Sequence, residues 1–240
     1  DGASTVRGSR LARRGVAATA LKSRGAVDLA ALRALPALPD TAEELKRIAT
    51  LLAAEGSVFL QAEASETRVK AMDLSQYRIL ALATHGLIAG DLNGLDEPAL
   101  ALSVPAEITA TDDGLLTASE VALLNLNADW VILSACNTAS GDGRPGAEGL
   151  SGLARAFFVA GSRALLVSNW PVLSDAAAEV TTRMIERLKA EPSLRRSEAL
   201  RLAMMGLLDD SAMPGYMAHP AAWAPFVVVG DGAPLRATNP

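Results

Sequence analysis

Tyr77–Thr84 (YRILALAT), Trp130–Ala135 (WVILSA) and Arg163–Ser168 (RALLVS) are three short, almost continuous apolar runs. Runs of this length are typical of β-strands buried on both faces, as in parallel sheets that are covered by helices. The alternation of such strands with helical patterns predicts an α/β fold with a mainly parallel sheet flanked by helices. In sheets of this kind, ligands bind beyond the carboxyl ends of the strands.

Local signals predict the remaining elements. Thr41 with Glu44, and Thr117 with Glu120, have the spacing of helix capping boxes, and Ser65 can cap a helix that extends to Met72. Helical spacing of apolar residues predicts one helix that ends near 56, one that ends near 160, and two more over 175–188 and 197–208. Short apolar runs predict further strands over 58–60, 99–104 and 226–229. Residues 86–98 and 137–148 have the composition of loops.

The composition limits the function classes. Half of the 240 residues are apolar and a fifth are charged, which is typical of a soluble globular protein. The chain lacks a run of 18 apolar residues, so we expect no transmembrane helix. The sequence leaves the compartment open, and a soluble, cytoplasmic protein is the expectation. A chain that starts at Asp1 instead of Met is expected to be a fragment or a processed product.

Charge and composition divide the chain into three parts. Residues 1–35 carry seven Lys/Arg and two Asp/Glu, and we predict a flexible basic arm or linker there. The predicted domain covers 36–232 and is followed by a tail over 233–240. Because the net charge of the whole chain is −5, the part after the arm has a net charge of −10. An acidic body argues against nucleic acid as the main ligand.

A histidine and the single cysteine follow two of the predicted buried strands. His85 comes directly after Thr84, and Cys136 comes directly after Ala135. If the two strands are neighbours, about 4.8 Å apart, an imidazole and a thiol share one edge of the sheet. A thiolate is a nucleophile, and an imidazole can activate it and protonate a leaving amine. The backbone N–H groups of Gly86 and Cys136 are the candidate oxyanion donors.

Simpler roles exist for the same residues, since many cysteines at strand ends belong to the core and many histidines there only form hydrogen bonds. One cysteine excludes an intrachain disulfide. One cysteine and two histidines do not make the usual structural zinc site, so we expect no metal. His219, in MAHPAAW, is expected to be structural.

Three segments, LATHG (82–86), LSACNT (133–138) and EGLSGLARAFFVAGSRALLVSNWPV (148–172), closely resemble the CHAT peptidase family. That family belongs with the caspases, separases and gingipains, and the resemblance covers roughly residues 36–232. It implies a caspase-like fold and a His-Cys dyad carried by His85 and Cys136, without a metal or organic cofactor. The family is often fused to helical tetratricopeptide repeats, so a repeat region or an activating partner is expected to regulate the domain.

Three residues are candidates for substrate binding. In the separase-like relatives, an acidic residue after the corresponding Trp binds a basic P1 side chain, and this chain has Trp170 followed by Asp175. Asp175 can instead cap the helix that it begins. Asp142 is a competing acidic candidate in the loop after Cys136, where Glu148 is expected to hold the loop.

The sequence therefore predicts a cysteine endopeptidase that cleaves a protein or peptide substrate after a basic P1 residue, Arg or Lys. One alternative is a catalytically silent caspase-like module that serves as a scaffold or interaction domain. A nucleotide-binding α/β domain is the weaker alternative, because no GxGxxG or GKS/GKT motif follows a strand.

Overall fold

The computed structural model describes residues 27–134, 152–170 and 172–235. Strands in these ranges form two sheets, one of four strands and one of three. The strands are β1 (Ile79–Ala83), β2 (Gly86–Leu87), β3 (Ala99–Ala101), β4 (Leu115–Thr117), β5 (Trp130–Ser134), β6 (Ala164–Ser168) and β7 (Phe226–Gly230). The helices are α1 (Leu29–Arg33), α2 (Pro39–Leu52), α3 (Glu66–Ala71), α4 (Ala118–Val121), α5 (Gly152–Ala160), α6 (Ser174–Ala190), α7 (Arg196–Asp209) and α8 (Pro220–Trp223).

The four-stranded sheet has the order β1-β5-β6-β7. β1 pairs with β5 and β5 pairs with β6 in parallel, whereas β7 runs antiparallel to β6. Together with the helices on both faces, this arrangement confirms the predicted α/β class with a mainly parallel sheet, and it is consistent with a caspase-like fold. The register of β1 and β5 extends from Ile79 opposite Trp130 to Ala83 opposite Ser134.

The four-stranded sheet separates two apolar layers of the core. Successive residues of a strand point to opposite faces, so Val131 and Leu133 pack in one layer while Trp130 and Ile132 pack in the other. Both faces of β5 and β6 are therefore buried, as their apolar runs predict. The first layer includes residues of α4 and α5, and the second includes residues of α2, α6 and α7.

β1 differs from this prediction, because all five of its residues are only half-buried. The strand lies at the edge of the four-stranded sheet, so β5 covers only one of its sides. A cavity of about 220 Å³ lies beside its residues Ile79–Leu82 and is lined by apolar side chains of both layers, among them Ile48 and Phe157. The apolar run identified a strand correctly, but position in the sheet determined its burial.

The three-stranded sheet has the order β2-β3-β4, with both pairs antiparallel. The sequence predicts strand structure only for β3, over 99–104, and a loop for the segment that contains β2. Helix α1 packs against this sheet through Leu32, which is buried among Leu87, Leu92 and Leu95. Helical structure is thus present before Pro36, where the sequence interpretation places the start of the domain.

Two further expectations are wrong. Thr41 and Glu44 form no capping box, because α2 begins earlier, with Leu38 as its N-cap and Pro39 in its first turn. The Thr41 hydroxyl donates to the carbonyl oxygen of Leu38, and Glu44 is buried. Residues 58–60 form no strand either; they connect the 3₁₀ turns Glu55–Ser57 and Gln61–Glu63.

Two predicted caps are confirmed. The Ser65 side chain accepts a hydrogen bond from the Arg68 backbone N–H at the start of α3. At the start of α4, Thr117 and Glu120 form the capping box: the Glu120 carboxylate accepts from the backbone N–H of Thr117 at 3.0 Å and from its hydroxyl at 2.8 Å. These two caps are local contacts between residues three apart, which is why the sequence pattern could indicate them.

Candidate active site

His85 lies two residues beyond the carboxyl end of β1 and is held by the segment that leads into α2. Its Nε2 atom is 2.7 Å from the carbonyl oxygen of Pro36. A carbonyl oxygen can only accept a hydrogen bond, so Nε2 carries a proton and donates it. In the neutral ring, Nδ1 is then the unprotonated nitrogen. This contact favours the tautomer in which Nδ1 is the hydrogen-bond acceptor.

The backbone of Gly86 is oriented by the antiparallel pairing of β2 with β3. The Ala101 N–H donates to the His85 carbonyl oxygen at 2.9 Å, and Gly86 lies opposite Leu100. Hydrogen-bonded and non-hydrogen-bonded pairs alternate along an antiparallel ladder, so Gly86 occupies a non-hydrogen-bonded pair. Its N–H points away from β3, as an oxyanion donor requires.

The carboxyl end of β5 lies beside the carboxyl end of β1. Ala83 and Ser134, the last residues of the two strands, are register partners. His85 follows Ala83 by two residues, and Cys136 follows Ser134 by two residues. Cys136 itself lies outside the described residues, as do the predicted substrate residue Asp142 and the loop residue Glu148.

Trp170 and Asp175 follow β6, the strand on the other side of β5. Trp170 is 42% exposed, and Asp175 lies in the first turn of α6. One carboxylate oxygen of Asp175 accepts from the backbone N–H of Ala176, and the other accepts from the Tyr216 hydroxyl. The hydrogen bond to Asp175 raises the pKa of Tyr216. Asp175 is therefore not the N-cap of α6, which is Leu173, but an acidic residue in the first turn, where it suits the helix dipole. It also has a phenol partner that the sequence did not indicate.

Glu44 is a polar residue of this region that the sequence interpretation assigned to a cap. It is 1% exposed, and its carboxyl group contacts Ser134 at the end of β5 and Thr181 in α6. Burial raises the pKa of Glu44 above its ordinary value, which the two hydroxyl contacts and Arg47 only partly offset. Its position one helical turn before the buried Ile48 is the signal that could have identified it.

Other polar groups have structural contacts. The exposed His219 uses Nδ1 to accept a hydrogen bond from the backbone N–H of Ala221, so it caps α8. Within the described ranges, three or more His, Cys, Asp or Glu side chains do not come together in a way that could hold a metal ion. In the same ranges, none of the helices is long and apolar enough to cross a membrane.

Comparison with known proteins gives the family. The sequence profile of the CHAT domain matches residues 2–231, nearly the whole chain. The chain belongs to the CHAT domain family. CHAT domains are related to caspase-like cysteine peptidases, which agrees with the α/β sheet and with the resemblance of the three segments.

Two curated relatives are similar to part of this chain. One is Tetratricopeptide repeat protein 28 of Mus musculus, 28% identical over 180 residues, which are 67% of this chain and 7% of that protein. The other is Tetratricopeptide repeat protein 28 of Homo sapiens, 31% identical over 125 residues, which are 52% of this chain and 5% of that protein. The CHAT domain therefore spans only a small part of the relatives that it matches.

Proposed function

We propose that this CHAT domain is a cysteine endopeptidase in which His85 and Cys136 form the catalytic dyad. One observation carries the proposal: β1 and β5 are parallel neighbours, and their last residues, Ala83 and Ser134, are register partners. His85 and Cys136 each follow two residues later in the sequence. A parallel pair in this register supports an imidazole and a thiol that leave the same edge of the sheet, about one strand spacing apart.

The contact between His85 and Pro36 supports the base role. With Nε2–H donated to the carbonyl oxygen, Nδ1 accepts the thiol proton of Cys136. The thiolate then attacks the scissile carbonyl carbon, and the N–H groups of Gly86 and Cys136 stabilise the oxyanion. Collapse of this intermediate breaks the C–N bond, and the leaving amine takes the proton from His85. Water hydrolyses the thioester and restores the thiol.

Exchange of each dyad member tests the reaction. Cys136→Ala should abolish hydrolysis of a peptide library, and His85→Ala should lower kcat/KM by about 10²–10⁴-fold, the usual contribution of a positioned acid–base group. His219→Ala is the matched control, because His219 only caps α8, and it should retain the wild-type rate. Turnover by Cys136→Ala, or equal losses for the two histidine variants, would contradict the dyad.

We further propose that the P1 residue is Arg or Lys and that Trp170 and Asp175 bind it. Both residues follow the carboxyl end of β6, the neighbour of the strand that precedes Cys136. A guanidinium can stack on the exposed Trp170 ring and pair with the carboxylate of Asp175. The Tyr216 hydroxyl donates to that carboxylate, so a bound cation has to share it with the phenol. Asp142 remains the alternative acidic residue.

Selectivity for P1 Arg, Lys, Asp and Leu peptides tests this proposal. Asp175→Asn should reduce kcat/KM for Arg and Lys peptides at least tenfold and leave the Leu peptide nearly unchanged. Asp209→Asn removes the same charge from the end of α7 and controls for the net charge of the domain. If the wild type prefers Asp or Leu, or if both variants lose activity on all peptides equally, Asp175 is not the P1 determinant.

We also propose that a repeat region or a partner regulates the peptidase activity of the domain, and that the protein is cytoplasmic. Both curated relatives are named for tetratricopeptide repeats, and the CHAT domain covers a small part of each. We expect low basal turnover from the isolated domain and higher turnover when a repeat region or partner is supplied. Full activity of the isolated domain, unchanged by such a partner, would argue against this regulation. A silent scaffold would show no turnover under either condition.

A further inference from the structure

One buried carboxyl group joins three elements beneath the proposed catalytic edge. Glu44 of α2 is 1% exposed. Its Oε2 atom accepts from the Ser134 hydroxyl at 2.9 Å, and its Oε1 atom lies 2.7 Å from the Thr181 hydroxyl oxygen. Thr181 belongs to α6, and Ser134 is the last residue of β5. Glu44 thus links both helices to the end of the strand that precedes Cys136.

The hydroxyl protons available around Glu44 indicate the protonation state of its carboxyl group. Besides Glu44, the Thr181 hydroxyl lies 2.9 Å from the carbonyl oxygen of Ala177 and 3.2 Å from that of Ala178. A hydroxyl has one proton to donate, and carbonyl oxygens can only accept. If Thr181 donates to Ala177, a protonated Glu44 can donate to Thr181 while it accepts from Ser134. With Glu44 protonated, each of the three contacts Ser134–Glu44, Glu44–Thr181 and Thr181–Ala177 has a proton of its own, whereas with Glu44 ionised the single Thr181 proton is shared between Glu44 and the carbonyl oxygens.

The charges around Glu44 do not offset its burial. Arg47, on the same helix, attracts the carboxylate but pairs with Glu179 of α6 at 2.8 Å. Glu179 also pairs with Arg183 of the same helix. β1 and β5 contain no titratable side chains, since their sequences are ILALA and WVILS. Burial therefore dominates and raises the pKa of Glu44, in agreement with the proton arrangement.

We propose that Glu44, as a neutral acid, is a positioning residue that fixes the carboxyl end of β5 between α2 and α6. The inference rests on the proposed function, because the group that it positions is Cys136, two residues beyond Ser134. The role proposed for Glu44 is an indirect one. Glu44 holds Ser134, and through the chain it sets where the thiol stands relative to His85.

The rate of Cys136 alkylation by iodoacetamide, measured in the full chain from pH 5 to 9, tests this positioning. The chain has one cysteine, so the reaction reports this thiol whether or not peptides are cleaved. A thiol beside an imidazole reacts with a pKa below the ordinary value of about 8.5, and a misplaced thiol returns to that value. Glu44→Leu should shift the profile towards that of His85→Ala. Glu44→Gln, which can donate to Thr181 and accept from Ser134, should restore the wild-type profile.

Each outcome decides one claim. If Glu44→Gln shifts the pH profile of alkylation as far as Glu44→Leu does, the neutral-acid assignment is wrong. If Glu44→Leu lowers the melting temperature but leaves this profile unchanged, Glu44 is only structural. Ser134→Ala removes the contact with β5 alone and should shift the profile in the same direction, which keeps the test valid should Glu44→Leu not fold. If His85→Ala leaves the profile unchanged, the dyad fails, while a shift in Glu44→Leu still supports positioning.

The pH dependence of stability provides a second readout that is independent of the thiol. The pKa of Glu44 in the folded chain lies above its ordinary value of 4.5. Its contribution to stability is then fully present below pH 4.5 and is lost as the pH rises through the folded pKa. As the pH rises from 4.5 through the folded pKa of Glu44, the melting temperature of the wild type should fall relative to that of Glu44→Gln. A constant difference between the two proteins would overturn the neutral-acid assignment.

Discussion

The ion pair of Arg78 and Asp129 provides a sharp test of the energetics of this fold. Asp129 precedes β5 and its side chain is 1% exposed, whereas that of Arg78, which precedes β1, is 32% exposed. The Arg78 Nε donates to Asp129 Oδ2 at 2.8 Å, and a second guanidinium nitrogen contacts the same oxygen. The backbone N–H groups of Asp129 and Trp130 also donate to the Arg78 carbonyl oxygen.

The difference in burial predicts that the two halves of the pair are not equivalent. Replacing Arg78 with Met leaves a buried carboxylate without its main cation, a change that typically costs about 3–5 kcal/mol. Attraction to Arg163 and Arg196 reduces the penalty, so we expect about 3 kcal/mol for Arg78→Met. Water can resolvate Arg78 when Asp129 is replaced, so Asp129→Asn should cost only about 1–2 kcal/mol.

Urea unfolding at pH 7 measures both changes, and the double variant should be more stable than Arg78→Met alone. Glu43→Gln is the matched control: its partner Lys46 lies 2.7 Å away, but both side chains are more than half exposed, so we expect no measurable change. Equal costs for Arg78→Met and Asp129→Asn, or a cost of Arg78→Met no larger than that of the control, would refute this reasoning. Because the pair lies about 20 Å along the strand from His85, kcat should change little.

Three further changes test other contacts. Gly161 has a φ of +113°, and a Cβ there would lie 2.3 Å from the Leu126 carbonyl oxygen. Gly161→Ala should therefore lower the free energy of unfolding in urea by more than about 2 kcal/mol. Gly215→Ala, where a Cβ would meet open space, is the control and should cost little. Thr117→Ala should cost about 1 kcal/mol through loss of the capping box, and an unchanged unfolding midpoint would contradict this. Burial raises the pKa of Glu66 from 4.5 to about 7, so its contribution to stability is present below pH 4.5 and is lost as the pH rises through 7. Glu66→Gln should flatten the pH dependence of unfolding over this range, and an identical slope in both proteins would argue against the raised pKa.

Local patterns identified most of the main sheet and two caps. The apolar runs located β1, β5 and β6 because a strand in a parallel sheet needs apolar side chains in succession. The Thr117–Glu120 spacing predicted a capping box correctly, since all of its atoms lie within one turn. The same pattern failed at Thr41, because Pro39 starts the helix earlier and the interior of the protein takes up Glu44.

Local sequence patterns could not predict the contacts between segments that are distant in the chain. β2 and β4 are only two or three residues long and pair with β3, so their sequences are too short to carry a clear periodicity. The half-burial of β1 follows from its place at the edge of the sheet. The phenol partner of Asp175 comes from a 3₁₀ turn about forty residues away.

The sequence by itself determined the alternation of strands and helices, the location of the three strands with apolar runs, and the placement of His85 and Cys136 directly after the first two of these runs. These follow from local chemistry, because hydrophobic periodicity and motif spacing are properties of a short segment. Only the tertiary structure decided that β1 and β5 are neighbours with Ala83 opposite Ser134, that Pro36 orients the His85 ring, and that Glu44 is buried against the end of β5. Strand order and register depend on which distant segments can cover each other's apolar faces, and that is settled only when the whole chain packs.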